Sequence, residues 1–181
     1  MTLANHLTFA RIYLLLPFLF LLQADVPYHN ILTALAYLLI VSTDLLDGYI
    51  ARKRNEVSLF GKVMDPVADK IFVISVLLFL IEKGISPWLI TIIIIRELLV
   101  MGLRVVSIDK GVYITPSLLS KSKTFILNFT VFMVLLDLSR HFPQWQSIIL
   151  SLTNILLILS ALVVSLSGID YFWKAAKKGL F

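Results

Sequence analysis

Four aspartates interrupt an otherwise apolar chain between residues 44 and 69, and any fold of this sequence has to accommodate them. The stretch STDLLDGYIARKRNEVSLFGKVMDPVADK lies at the seam of two apolar runs. Asp44 and Asp47 are three apart, and Asp65 and Asp69 are four apart. On a helix both spacings put the paired side chains on one face, roughly 5–6 Å apart at Cβ. Asp44, Asp47, Gly48 and Ala51 then form one stripe, and Gly61, Asp65 and Asp69 another. One Asp at a membrane helix centre costs about 2.5–3.5 kcal/mol. Four uncompensated carboxylates cost on the order of 10 kcal/mol, comparable to the net stability of a whole protein. Placement near a membrane surface relieves this cost, and so do hard divalent cations held by oxygen ligands. Two facing carboxylate pairs suit one or two Mg²⁺ or Mn²⁺ ions. Gly and Ala on the acid-bearing faces leave room for a ligand, which weighs against an ordinary solvated turn.

The membrane enters through composition. The chain of 181 residues is 59% hydrophobic with a mean hydropathy of +0.94, whereas soluble domains are nearer 45–50% apolar even with Gly included. Apolar runs occupy roughly 9–23, 31–50, 63–81, 87–108, 118–138 and 148–172. Each approaches the ~20 residues needed to cross a bilayer core, the first being short. Residues 1–11 read as a short interfacial helix start, and the first run, with no small-residue cleavage site after it, reads as a span and not as a signal peptide. The expected fold is therefore an all-α integral membrane protein of six transmembrane helices, a single domain over 1–181, with a polar cavity opening to the cytoplasm. With no cysteine, disulfides and Cys-based metal sites are excluded.

Charge sets the orientation. With a cytoplasmic N-terminus and six alternating spans, thirteen of the sixteen Lys and Arg fall inside, only Lys83 and Arg140 fall outside, and Arg96 lies within a span. Positive residues favour the cytoplasmic side, so both termini and the aspartates are expected there. The net charge of +5 sits at the ends of apolar runs, which fits anionic headgroups and phosphorylated substrates and argues against a nucleic-acid partner.

Further polar groups lie within or beside the spans. Arg96 and Glu97 stand deep in the fourth run, where ionisable residues are functional by default or form a buried pair; Glu97 pairing with a base to lock helices is the plain alternative. Arg104 shares a face with Arg96, about 12 Å along the helix. With Lys121 and Lys123 at the start of the fifth helix it outlines a basic pocket for a phosphate, against simple positive-inside anchoring. Asn5, Thr8 and Arg11 recur every three residues along one helical face. His6, His29 and His141 lie scattered at span ends and read as interfacial. Trp88, Trp145 and Trp173 suit an aromatic belt. Pro66 is harmless in a first turn and kinking in mid-helix, and the sequence leaves both open. Asp109 and Asp170 read as surface charges.

The pattern Asp44-x2-Asp47-Gly48-x2-Ala51-Arg52-x8-Gly61-x3-Asp65-x3-Asp69 resembles the complete signature of the CDP-alcohol phosphotransferase family, eight fixed positions over 26 residues. That resemblance implies an integral membrane enzyme that displaces CMP from a CDP-linked donor with an alcohol. It implies a Mg²⁺ or Mn²⁺ site at Asp44, Asp47, Asp65 and Asp69, with Asp69 as general base by its place in the signature, though spacing alone does not separate it from Asp65. It implies CDP binding by Asp47, Gly48, Ala51, Arg52 and Gly61. The segment Asn5-x2-Thr8-x2-Arg11, the Arg96-Glu97 pair with Arg104, Lys121-x-Lys123-Thr124 and the terminal Ser-Gly-Ile-Asp-Tyr-Phe at 167–172 resemble the phosphatidylglycerophosphate synthase branch. Ser120 departs from that branch, which carries Gly there.

The branch implies CDP-diacylglycerol as donor and glycerol 3-phosphate as acceptor, the acceptor phosphate meeting Arg104, Lys121, Lys123 and Arg96, with Asn5, Thr8, Arg11 and Tyr171 as further candidates. It also implies a multi-pass protein of the inner (cytoplasmic) membrane with a cytoplasm-facing site, and admits a homodimer. The same chemistry with inositol phosphate, serine or a phospholipid as acceptor is the nearest alternative. A divalent-cation transporter is a more distant one, because transport sites lie near the midplane and these acids lie at one surface. A reporter fused after Phe181 is expected to be active only on the cytoplasmic side; activity on the outer side overturns the topology.

Overall fold

The described residues form six α-helices and one short 3₁₀ turn. α1 spans Leu3–Gln23, α2 His29–Arg54, α3 Leu59–Glu82, α4 Pro87–Asp109, α5 Leu118–Asp137 and α6 Gln146–Lys177, with the 3₁₀ turn at Pro143–Trp145 before α6. The structure, a computed structural model, describes the backbone of residues 3–24, 28–54, 59–112, 118–138 and 143–180, and the side chains of 13–24, 28–42, 67–68, 70–107, 109–112, 119–120, 122–138 and 144–180. Statements below refer to these residues, among which no strand occurs.

Each expected apolar run lies on its own helix, and the helices extend past the runs at several ends. Residues 1–11 were expected as a short interfacial helix start; from Leu3 on they are helical and run into α1 without a break. The basic segment expected as a turn from Arg52 is helical through Arg54. Ala, Arg and Lys are strong helix formers, so the backbone needs no apolar face to continue there. Pro66 falls more than a turn inside α3, so the first-turn placement does not hold. Three helix ends share one device, the last being that of α6, where Gly179 adopts φ +67 and Leu180 N–H donates to Ala175 C=O (3.1 Å). After α3, Gly84 adopts φ +92 while Ile85 N–H donates to Leu80 C=O (3.1 Å) and Gly84 N–H to Ile81 C=O (3.0 Å). After α4, Gly111 adopts φ +67 and Val112 N–H donates to Ser107 C=O (2.8 Å). These are Schellman caps, for which glycine is the residue that enters the left-handed region without a steric penalty.

The close helix pairs trace a closed circuit: α1 packs on α2, α2 on α5, α5 on α6, α6 on α4, α4 on α3, and α3 back on α1. α2 and α3, which carry the aspartates, are thus bridged by α1. An aromatic triad holds that corner. The ring of Phe18 on α1 lies 6.3 Å from Tyr37 on α2 and 5.3 Å from Phe72 on α3, and Tyr37 stacks on Phe72 at 5.9 Å. Tyr37 Oη, fully buried, donates to Asn128 Oδ1 on α5 at 3.0 Å. The triad lies seven residues before Asp44 on α2 and three beyond Asp69 on α3, so it fixes the register of the two acid-bearing segments.

Apolar side chains lie outside as well as inside. The core is built of residues such as Phe18, Leu22, Tyr37, Phe72, Leu77, Leu80, Ile90, Ile93, Val131 and Leu135. α6 buries Thr153, Ser160 and Ser167 together with Leu157, Ala161, Val164 and Gly168, and exposes Ile155, Ile158, Leu162, Leu166 and Ile169 on its other face. α4 likewise exposes Ile92, Ile95, Leu98 and Leu99. Small and hydroxyl-bearing residues at a helix contact, with branched apolar residues on the outer face, are what helix association in lipid selects. Among the described residues, α6 is the one helix that is both long and apolar enough throughout to cross a bilayer. α4 has the length but carries Arg96, Glu97 and Arg104 within it. Trp88, Trp145 and Trp173 are all exposed near helix ends, as an aromatic belt requires. Tyr37→Phe is expected to leave Asn128 Oδ1 without this donor and to cost about 1 kcal/mol, seen as a lower thermal midpoint of the detergent-solubilised protein.

Candidate active site

The most buried charge in the described structure is Glu97, at 2% exposure in the middle of α4. A carboxylate there is tolerated only if its partners replace water, and three cations do so. Oε2 accepts from Lys70 Nζ of α3 at 3.1 Å. Oε1 accepts from Arg96 Nη1 at 3.0 Å and from Lys123 Nζ of α5. Arg96 is itself buried, and its Nη2 donates to Ser167 Oγ of α6 at 2.5 Å. One carboxylate therefore joins α3, α4 and α5 directly, and α6 through Arg96. Among the described residues α4 and α5 each pack on α6, and the Glu97–Lys123 contact joins them directly.

The alternative reading of Glu97 as an ion-pair lock is what the geometry shows. Lys123 pairs with Glu97, which is distant in sequence but in contact in space. Arg96, on the adjacent residue, is paired to the same carboxylate. Arg104 is exposed toward the end of α4, and Tyr171 is buried at 4% on α6. Asp109 is exposed, and Asp170 pairs with Lys174 at 2.8 Å one turn on, as surface charges do.

The aspartates take their places through the backbone. Asp44, Asp47, Gly48, Ala51 and Arg52 lie in continuous helix on α2, and Gly61, Asp65 and Asp69 in continuous helix on α3. The i, i+3 and i, i+4 spacings are therefore realised. The side chains of all these residues, and of Asn5, Thr8, Arg11 and Lys121, lie outside the described set. Among the described residues no other cluster of three acidic or His side chains could hold a metal.

Residues 1–166 match the CDP-alcohol phosphatidyltransferase family. The chain belongs to that family. Among its relatives is the CDP-diacylglycerol–glycerol-3-phosphate 3-phosphatidyltransferase of Bacillus subtilis, 31% identical over 97% of both chains. The protein of the same name from Rickettsia bellii is 36% identical over 97% of this chain and 96% of its own, and that of Wigglesworthia glossinidia brevipalpis 34% identical over 90% and 88%. The chain is thus a transferase of this family, and the aspartate pattern read from the sequence is the part of it that pointed there.

Three members of the Glu97 cluster escaped sequence reasoning: Lys70, Ser167 and Gly168. Lys70 follows directly on Asp69 and looked like a cytoplasmic anchor. Ser167 and Gly168 were noticed only as part of a terminal motif, and the structure supplies their reason. A Cβ on Gly168 would stand 2.9 Å from Arg96 Cγ and 3.5 Å from its Nε, so glycine makes the space the arginine occupies on its way to Glu97 and Ser167. Because Arg96 is tied at both Nη atoms, it has no slack with which to yield. Gly102 on α4 has nothing within 4 Å of the corresponding position. Gly168→Ala is accordingly expected to destabilise the protein by about 1–3 kcal/mol, while Gly102→Ala leaves the thermal midpoint near that of the unsubstituted chain. Equal midpoints for the two variants refute the fit.

Proposed function

We propose that the chain transfers the phosphatidyl group of CDP-diacylglycerol to sn-glycerol 3-phosphate, giving phosphatidylglycerophosphate and CMP. The observation that carries this reading is the near-full-length similarity to relatives that bear this activity in their names, joined to an unbroken aspartate signature. The apolar outer face and the charge bias support six membrane spans in one domain of the inner membrane, multi-pass, with the site open to the cytoplasm. Lipid acyl chains then stay in the bilayer while the cytidine headgroup enters between α2 and α3.

Asp44, Asp47, Asp65 and Asp69 fit a divalent ion by the chemistry of the donor set: four hard oxygen ligands on two helices, the type that Mg²⁺ and Mn²⁺ take. When bound, the metal supplies neutralisation of the donor diphosphate and of the charge on departing CMP. Gly48, Ala51 and Gly61 give the nucleotide room beside Asp47, and Arg52 offsets phosphate charge. The acceptor hydroxyl oxygen forms a bond to the phosphatidyl phosphorus, the bond from that phosphorus to the CMP oxygen breaks with its electron pair leaving on CMP, and the hydroxyl proton passes to Asp69. Such transfer is chiefly a matter of positioning and electrostatics, so no covalent nucleophile on the protein is invoked. Arg104 and Lys121, with Arg96 and Lys123, supply the cations for the acceptor phosphate, each charge-assisted bond contributing about 1.5–3 kcal/mol.

The test is CMP release by the purified protein with CDP-diacylglycerol, Mg²⁺ and a panel of alcohols. Glycerol 3-phosphate is expected to support turnover, and a preference for serine or inositol phosphate would overturn the acceptor assignment. Asp69→Asn is expected to keep donor binding and lose about 10²–10⁴-fold in kcat, the usual contribution of a general base. Asp44→Asn is expected to need more metal and to be partly rescued by it. Near-normal turnover in Asp69→Asn removes the base assignment.

A further inference from the structure

We infer that the α4–α6 face binds an anionic phospholipid of the surrounding leaflet, with one acyl chain in the groove between the two helices and the headgroup phosphate at Lys110 and Lys177. This lipid is distinct from the donor, whose headgroup enters between α2 and α3 in the proposed reaction, and the site does not depend on the identity of the acceptor.

The groove sets the chemistry of the chain. Ile92, Ile95 and Leu99 of α4 and Ser165, Ile169 and Phe172 of α6 line a cavity of about 390 Å³. On each helix these positions recur every three or four residues and so form one line along one face. Ile92, Ile95, Leu99 and Ile169 are exposed, so the groove opens on the apolar outer face. Its floor is Arg96 against Gly168, where the arginine presents its methylene stem to the glycine while Nη1 and Nη2 are engaged with Glu97 and Ser167. Ser165 spends its hydroxyl proton within α6, on Ala161 C=O at 2.7 Å. Such a lining gives water too few polar partners, and an empty groove forfeits the dispersion contacts of its walls. A hydrocarbon chain satisfies both conditions.

The headgroup follows from what stands at the end of the groove. Eleven residues are three helical turns to within about 20°, so Lys110 lies on the same face of α4 as Leu99. Its Nζ donates to Leu180 C=O at 2.8 Å, a neutral partner three residues after Lys177. On α6, Trp173 is exposed next to Phe172, and Lys177 Nζ lies 3.6 Å from the centre of its ring. Neither Lys110 nor Lys177 forms an ion pair with a described carboxylate, whereas Lys174 is committed to Asp170. Lysine beside tryptophan at the end of a span is the arrangement of a membrane interface, and lysines there attract anionic headgroups.

Depth agrees with this assignment. Counted along the helices from the Arg96–Gly168 contact, Lys177 is nine residues on and Lys110 fourteen, a rise of about 14 and 21 Å. Half of a bilayer's hydrocarbon core is about 15 Å, and half of the bilayer with its headgroups about 20–22 Å. A lipid with its phosphate between the two lysines therefore carries the end of its chain into the groove. The two halves of the site, apolar and cationic, are one leaflet apart.

Thermal protection by added lipid tests this. Detergent-solubilised protein, free of divalent metal, is heated with phosphatidylglycerol, with phosphatidylcholine of the same chains, and without lipid. Phosphatidylglycerol is expected to raise the thermal midpoint more than phosphatidylcholine does. The double variant Lys110→Gln, Lys177→Gln should fold, since both side chains are exposed and glutamine keeps a donor for Leu180 C=O. It is expected to lose that preference, each lysine contributing about fivefold in affinity for the anionic lipid. Ser165→Leu fills the groove and is expected to lose protection by both lipids. Asp44→Asn is expected to keep the protection. Equal protection of the wild type by the two lipids, or an unchanged preference in the double variant, overturns the inference. So does protection lost in Asp44→Asn, which assigns the lipid to the donor site, or a dimer that Ser165→Leu abolishes without any lipid preference, which makes the groove a contact between copies. Failure to release CMP with glycerol 3-phosphate refutes the proposed function and leaves this site standing on its own readout.

Discussion

A single buried carboxylate holds the described half of this site together. Removing Glu97 from water is costly, and contacts with Lys70, Arg96 and Lys123 offset that cost. Each of those side chains comes from a different place in the chain, so the constraint is global: α3, α4 and α5 must sit at one depth and one rotation for the three contacts to coexist. Arg96 passes the constraint on to α6 through Ser167, and α6 accommodates it with a glycine. Breaking such an arrangement by removing one partner is far more costly than the arrangement is stabilising, because a buried charge is left alone.

The surrounding packing makes that polar centre possible. In lipid there is no hydrophobic gain from bringing two apolar helices together, so close approach and interhelical hydrogen bonds have to supply the attraction. The bundle does this at several levels. Thr130 and Ser160 hydroxyls meet at 2.7 Å between α5 and α6. Tyr37 reaches Asn128 between α2 and α5, and Asn30 Nδ2 donates to the Leu138 carbonyl across the α2–α5 end at 2.8 Å. Large apolar side chains fill the core and also cover the outer face, where Leu and Ile predominate. The Glu97 cluster sits beside that apolar core because its charges satisfy one another.

How much of this was legible in the sequence follows from the range of each interaction. Helix existence was legible, because apolar runs of near-spanning length admit few other folds in lipid. Helix ends were less so: a basic tail such as residues 52–54 has no apolar signal, yet helix propensity carries α2 through it. The aspartate pattern was legible because its spacing is local and repeats within one turn. The Glu97 cluster was not, because its contacts join residues 26, 27 and 71 apart: Lys123 to Glu97, Lys70 to Glu97 and Ser167 to Arg96. Lys123 illustrates the limit. Its sequence neighbours include no acid, whereas in space it meets Glu97 on the previous helix. The unusual depth of Arg96 and Glu97 was the one available signal, and it flagged the right pair without revealing the third and fourth partners.

α3 is where the acidic and basic halves meet, and its register explains why both belong to one site. Consecutive helical residues point about 100° apart, so Asp69 and Lys70 address different directions from the same turn. Asp69 continues the stripe of Asp65 and Gly61, while Lys70 turns to α4 and Glu97. The aromatic contact of Phe72 with Phe18 and Tyr37 fixes this rotation from just beyond. A slip of one residue in α3 would carry Lys70 off Glu97 and turn the whole Gly61–Asp65–Asp69 stripe by about 100° at once. The two halves are therefore not independently placed: the packing that satisfies the buried carboxylate is also what sets the direction of the aspartate-bearing face.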